Sequence, residues 1–294
     1  MKYGIASLIM LFYTYQCKTQ VLNTKQDSFR FYADAMFFLN QAEFRMHAES
    51  AFNRLLKELI VTTADSSKLN FLPSFVKCET PDKSISIISW QVERQPKDFH
   101  YAAVVFQANA KPLYLFDVNR TISKINFESF NSKNWYGALY YHVIPAKIKN
   151  TYTLLGYRFG KDGSKYRIID AIEIKNNDIE IGAPIFKHTD EKGEEEWYYR
   201  HVINYSPSAN VAIKYDEASQ IIYFDHVETF TDIKSGEVVR APDGTFESLE
   251  YKIDYWNYIP YQKGEILETA PREKPVLNGD KKDILGKKRE SKQK

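Results

Sequence analysis

The sequence predicts a mainly β protein with an N-terminal α-helix: an antiparallel meander, sandwich or partial barrel, with a small propeller-like β fold as the alternative. Three observations predict it. Apolar and polar residues alternate at period two through short runs from about Ser84 to Tyr261, the spacing of half-buried strands. Aromatics reach 15%, as 19 Phe, 21 Tyr and 4 Trp, and aromatic side chains suit a pleated surface. Turn residues interrupt the runs about every 10–15 residues with no helical pattern between them, which excludes alternating βαβ units.

Residues 1–20 read as an export signal. Lys2 is a minimal positive start, and Tyr3 to Tyr15 is free of charge and centred on Leu8-Ile9-Met10-Leu11-Phe12. That core fits a signal-peptide apolar region and is too short to span a bilayer. Cys17-Lys18-Thr19-Gln20 resembles the start of mature bacterial lipoproteins, although Thr14-Tyr15-Gln16 lacks the usual Leu at −3 and small residue at −1. Cys17 is thus a lipidation candidate, with simple cleavage nearby as the alternative. The only other cysteine, Cys78, is expected to be a small buried hydrophobe. Two cysteines exclude a disulfide scaffold and a cysteine-based zinc domain.

Residues 21–74 hold a polar linker and the helix, expected from Ser28 to Val61 with a break near Asn40. Phe52, Leu55, Leu56, Leu59 and Ile60 form a helical stripe, and Phe31, Ala35, Phe38 and Ala42 continue a similar face. Arg45, Glu49, Asn53 and Lys57 mark the other face, and Asp27 or Ser28 caps the start.

Residues 75–262 form the β domain, with about ten to twelve strands expected. Thr151, Thr153 and Leu155 alternate with Tyr152, Leu154 and Gly156. Gly160-Lys161-Asp162-Gly163 joins this run to Lys165–Ile174 as a hairpin. Pro81-Asp82-Lys83, Asn176-Asn177-Asp178, Glu191-Lys192-Gly193, Asp216-Glu217 and Pro242-Asp243-Gly244 read as further turns. Residues 263–294 read as a disordered basic tail. Nine Lys/Arg against four Asp/Glu from Arg272 to Lys294 give it +5, which leaves −3 on the remainder of a chain whose total is +2. A mildly acidic body is not the footprint of a nucleic-acid domain.

Ser86-Ile87-Ile88-Ser89-Trp90, Asn134-Trp135-Tyr136-Gly137-Ala138-Leu139-Tyr140-Tyr141 and Tyr152-Thr153-Leu154-Leu155-Gly156 follow one another along the domain. Arg167-Ile168-Ile169-Asp170, Gly182-Ala183-Pro184-Ile185-Phe186 and Ile221-Ile222-Tyr223-Phe224-Asp225-His226 come after them. As a set, spanning roughly Phe75 to Trp256, they resemble a family of uncharacterised exported proteins of Bacteroidetes. The resemblance implies an envelope location and assigns no activity.

Chemistry-bearing motifs are sparse. There is no H-E-x-x-H, no G-x-S-x-G elbow and no phosphate-binding G-x-x-x-x-G-K-[ST] loop. No cofactor and no metal are expected. His226-Val227-Glu228 has the H-x-E of a zinc deaminase without its P-C-x-x-C partner. Asp225-His226 reads as half of an acid–base pair, and His100, His142, His201 and His226 all fall on expected strands. Asp170, Glu173, Asp216 and Asp225 are the carboxylates available for glycosidase-like pairing.

The aromatic clusters are the stronger lead. Trp135, Tyr136 and Tyr140 are the candidate binding residues, since Asn131 to Asn134 make a polar approach and Gly137 permits close backbone approach. The same residues also suit cross-strand core packing. Trp197-Tyr198-Tyr199 and Tyr251 to Tyr261 form two further clusters.

The expected function is therefore non-catalytic: an exported protein of the periplasm, outer membrane or cell surface that binds a glycan, peptide or protein partner. Membrane contact is expected only through a lipid anchor at Cys17. The alternative is an envelope hydrolase using strand carboxylates and a histidine.

Overall fold

The computed structural model describes residues 24–61, 69, 74–108, 110–118, 122–175, 178–231 and 236–260. The expected export segment with Cys17 and the basic tail lie outside them. No helix among the described residues is long and apolar enough to cross a membrane.

The expected helix is two, α1 (Lys25–Phe38) and α2 (Ala42–Val61), broken where Leu39 turns extended. The start lies earlier than expected: Thr24 caps α1, its hydroxyl accepting from the Asp27 N–H while the Asp27 carboxylate accepts from the Thr24 N–H. α2 buries Phe52, Leu56 and Ile60 as its periodicity requires. α1 buries Phe29, Ala33 and Met36, whereas Phe31 and Phe38 are exposed, because the break frees α1 from the helical phase of α2. Arg45 and Glu49 are not solvent-facing decoration. Arg45 donates to the carbonyls of Leu39, Asn40 and, across the elbow, Glu93, and buried Glu49 pairs with Arg94 at 2.9 Å.

Sixteen strands follow among the described residues, more than expected because several have only four residues. β1 (Val76–Glu79), β2 (Ile85–Gln95), β3 (Asp98–Gln107) and β4 (Leu113–Phe116) form a first, antiparallel sheet in chain order. A second sheet takes β5 (Phe130–Asn131), β6 (Leu139–Pro145), β7 (Thr151–Phe159), β8 (Lys165–Lys175) and β9 (Asp178–Ile181), ordered β5-β9-β8-β7-β6. The chain crosses to a third sheet with β10 (Phe186–Thr189) and β11 (Glu195–Tyr198), then returns to lay β12 (Arg200–Tyr205) against β8. β13 (Ile213–Asp216), β14 (Ile221–Thr231), β15 (Val238–Tyr251) and β16 (Trp256–Ile259) complete the third sheet, ordered β11-β10-β16-β15-β14-β13. Pairs are antiparallel except β10 with β16.

Period two explains how the sheets stack. In β2, Ile88, Trp90 and Val92 face the helices, while Ile85 and Ile87 face the second sheet. In β8, Ile168 and Ile172 face the first sheet, while Ile169 and Ala171 face the third. The result is four layers, helices and three sheets, with one apolar core between each neighbouring pair. The sheets pack face to face rather than radiating about an axis, so the propeller-like alternative is excluded.

The Gly160–Gly163 hairpin is present, closed by the Gly160 N–H to the Ser164 carbonyl. Pro242-Asp243-Gly244 is not a turn between strands. It is a bulge inside β15: Asp225 pairs with Phe246 and Val227 with Pro242, so one residue of β14 faces three of β15. Gly244, at φ +90°, supplies the left-handed backbone this excess chain needs.

Candidate functional site

Trp135, Tyr136 and Tyr140 are 0%, 0% and 1% exposed. They present no face to a ligand, and the expected binding platform is core. Their polar approach ends in a tight segment: the Val118 N–H bonds the Trp135 carbonyl, and a Cβ on Gly137 would meet Tyr101 Cβ at 2.8 Å. What they surround is a sealed ion pair. The Asp170 carboxylate accepts from Tyr136 Oη (2.5 Å) and Tyr140 Oη (2.8 Å) on one oxygen. Its other oxygen accepts from Arg200 Nε (3.0 Å) and the Ala171 N–H (3.0 Å). Arg200 donates three more hydrogen bonds, to the carbonyls of Ile125, Glu128 and Ile181, and its guanidinium carbon lies 5.0 Å from the Phe130 ring centre. Burial, then the Asp170 charge, drives both tyrosine hydroxyls well above their usual range, so they stay donors. Every lone pair of Asp170 has a use, which describes a structural network and not a reactive one.

The carboxylates considered for paired chemistry are engaged separately. Asp170 is sealed, Glu173 meets Lys175 at 3.2 Å, Asp216 closes the β13–β14 turn through Ser219 Oγ, and Asp225 accepts from the Ala212 N–H. Asp225 cannot serve His226, because adjacent strand residues point to opposite faces. The partner of His226 is Asp243, delivered by the bulge: His226 Nδ1 lies 3.0 Å from Asp243 Oδ2. His226 Nε2 lies 3.9 Å from Glu247 Oε1, which accepts from Tyr258 Oη at 2.6 Å.

Two more histidines converge beside this group. His188 stacks on Tyr258 with ring centres 4.3 Å apart, and on His201 at 5.5 Å. Burial lowers the His188 pKa to about 4 and the His201 pKa to about 3, so both are neutral at ordinary pH. Sequence reading places His201 and His226 on strands but misses His188. His100 and His142 lie elsewhere, on β3 and β6. Cys78 is buried, and burial pushes its thiol up to about 12, as suits a small hydrophobe.

A cleft of about 300 Å³ lies where the first sheet meets the helical elbow. β1 stops at Val76, opposite Ser89, so among the described residues Trp90 to Glu93 have no strand beside them on that edge. Met36, Val76, Trp90, Phe99, Leu139 and Tyr157 give the cleft apolar walls, and Arg45, Gln91 and Glu93 give it polar points. Two of its lining groups, Trp90 Nε1 and Gln91 Oε1, are buried without a hydrogen-bond partner among the described residues. Such orphans are uncommon and call for an explanation. No sequence motif marks the cleft, since it arises where one strand ends short of its neighbour. A comparison with protein-family models, curated proteins and solved structures finds no match to this chain.

Proposed function

We propose that the chain is an exported protein of the cell envelope or surface that binds a partner without catalysing a reaction, and that it binds at the cleft on the open edge of β2. The cleft carries the reading: apolar walls, a few polar points and two unpaired buried groups are the make-up of a ligand site. Beside Trp90 to Glu93 no described strand lies on that edge, and apart from the Glu93 carbonyl, which Arg45 takes, it offers backbone groups at peptide spacing, so an extended peptide segment with an apolar side chain suits it better than a sugar ring. A sugar would need an open aromatic face, and Trp90 is buried. Export is supported by the charge-free apolar run of residues 3–15, by Cys17 and by the resemblance to exported Bacteroidetes proteins.

Panning a displayed peptide library against the full chain should enrich extended apolar sequences. Trp90→Phe, which removes Nε1 together with part of a buried ring, should weaken them about 3- to 10-fold and lower the melting temperature as well, whereas Gln91→Leu, at a half-buried position, should weaken them while the melting temperature holds. Peptides that bind Trp90→Phe and Arg45→Ala as well as the parent would overturn the cleft. N-terminal sequencing of the native protein should show loss of about 16 residues or more. A chain still starting at Met1 would overturn export, and Cys17→Ser should free an acylated protein into the soluble fraction.

A second reading, an envelope hydrolase, is favoured by the Asp243–His226 pair, an acid orienting an imidazole. Turnover of an ester, amide or glycoside panel that His226→Ala abolishes would select it.

A further inference from the structure

We propose that His226, Asp243 and Glu228 form a binding site for a divalent first-row metal cation such as Zn²⁺ or Mn²⁺. The inference is independent of the β2 cleft. One ligand atom from each residue lies within 4.8 Å of the other two. The strand explains two of them: at period two, His226 and Glu228 of β14 project from the same face. The bulge explains the third. It presses Asp243 out of register toward His226, and the Thr245 N–H and Oγ1 hold Asp243 Oδ1 at 2.9 and 2.6 Å, so that Oδ2 is the oxygen turned to the imidazole.

The spacing suits a metal. Ligand atoms about 2.1 Å from a cation and at roughly right angles stand about 3.0 Å apart. His226 Nδ1 and Asp243 Oδ2 are 3.0 Å apart. Glu228, exposed at the margin, has the side-chain freedom to close the rest. The other ring nitrogen also fits: with Nδ1 on the metal, Nε2–H faces Glu247 Oε1 at 3.9 Å. A histidine ligand commonly donates its second N–H to a carboxylate.

Charge points the same way. Glu228, Asp243 and Glu247 gather around one imidazole, and among the described residues no Lys or Arg forms an ion pair with any of them. One imidazole with two carboxylates favours Zn²⁺, Mn²⁺ or Co²⁺ over the all-oxygen cages of Ca²⁺ and the thiolate sites of Cu⁺. Side-chain exposures of 21% for His226 and 15% for Asp243 leave a way in. Three protein ligands leave a coordination position for water or a partner's donor.

The test is isothermal titration of the chelator-treated full chain with ZnCl₂ and, separately, MnCl₂. Saturable binding near one equivalent is expected for at least one of them. His226→Ala and Asp243→Asn should each weaken it about 10- to 100-fold or more. Glu228→Gln, at an exposed position that does not threaten the fold, should weaken it about 3- to 10-fold. His47→Ala, on the outer face of α2, should leave it unchanged. The same cation should raise the melting temperature of the parent and not of Asp243→Asn. Absence of saturable binding for both metals, or affinities equal in the parent, His226→Ala and Glu228→Gln, would overturn the site.

Discussion

Asp170 and Asp243 are both strand aspartates facing a nitrogen base, and both accept from hydroxyl groups. Asp170 is 0% exposed and each of its oxygens accepts two hydrogen bonds. Asp243 sits at an open margin, with one oxygen held by Thr245 and the other turned to His226, its one partner there among the described residues. Residue type does not separate them. Saturation does: a carboxylate whose lone pairs are all used holds a fold together, and one with capacity to spare can take a ligand.

That contrast breaks first at Arg200. Arg200→Leu strands the Asp170 charge in the core, so urea unfolding should show a loss of about 3–5 kcal/mol. A loss under about 1 kcal/mol would mean that the network is not sealed. Trp135→Ala should cost a comparable ~3–5 kcal/mol, because the ring fills the same core and its Nε1 donates to Tyr140 Oη. Unchanged stability there would return Trp135 to the surface.

The histidine row sharpens the contrast by pH. His188 and His201 titrate near 4 and 3 in the fold and near 6.5 when unfolded. Below about pH 6.5 the unfolded chain takes up protons that the native chain refuses. Their stabilising share is therefore full above that pH and declines as pH falls toward 4 and 3, by at most about 1.4 kcal/mol per pH unit for each histidine. Tyr198 and Tyr258 face the pair, with Glu196 and Glu247 behind them. The gap between denaturant midpoints at pH 7 and pH 5 should narrow in His201→Phe, with His188 keeping its share, and an unaltered pH slope would refute the assignment. The smallest effect belongs to the open cluster. His226→Gln should shift stability by less than about 1 kcal/mol in a thermal melt without added metal, against the several lost at Arg200.

The mainly β class was legible because its signals are local: alternation within each run, and turn chemistry such as Gly160 to Gly163. The break near Asn40 was legible for the same reason. Layering was not, since both faces of β2 and β8 are apolar and nothing in a run says which core each face joins. Trp135 read as an edge residue because its neighbours 131–134 are polar, but its indole donates to Tyr140, whose hydroxyl is tied in turn to Asp170 and through it to Arg200, far along the chain. Pro242-Asp243-Gly244 has turn composition, and only pairing with β14 makes it a bulge. The H-x-E spacing did place His226 and Glu228 on one face, and the same rule tells against Asp225 as the partner of His226.

β8 has one edge covered by β7 and the other divided, with β9 beside Ile172 to Lys175 and β12 beside Lys165 to Asp170. Synthesis therefore cannot finish the second sheet in one pass. The ribosome must first emit β10 and β11, which belong to the next layer, before Arg200 emerges to meet an aspartate made 30 residues earlier. β12 is thus the closing piece of the middle layer, and its pairing with β8 spans more of the chain than the β8–β9 pairing on the same edge.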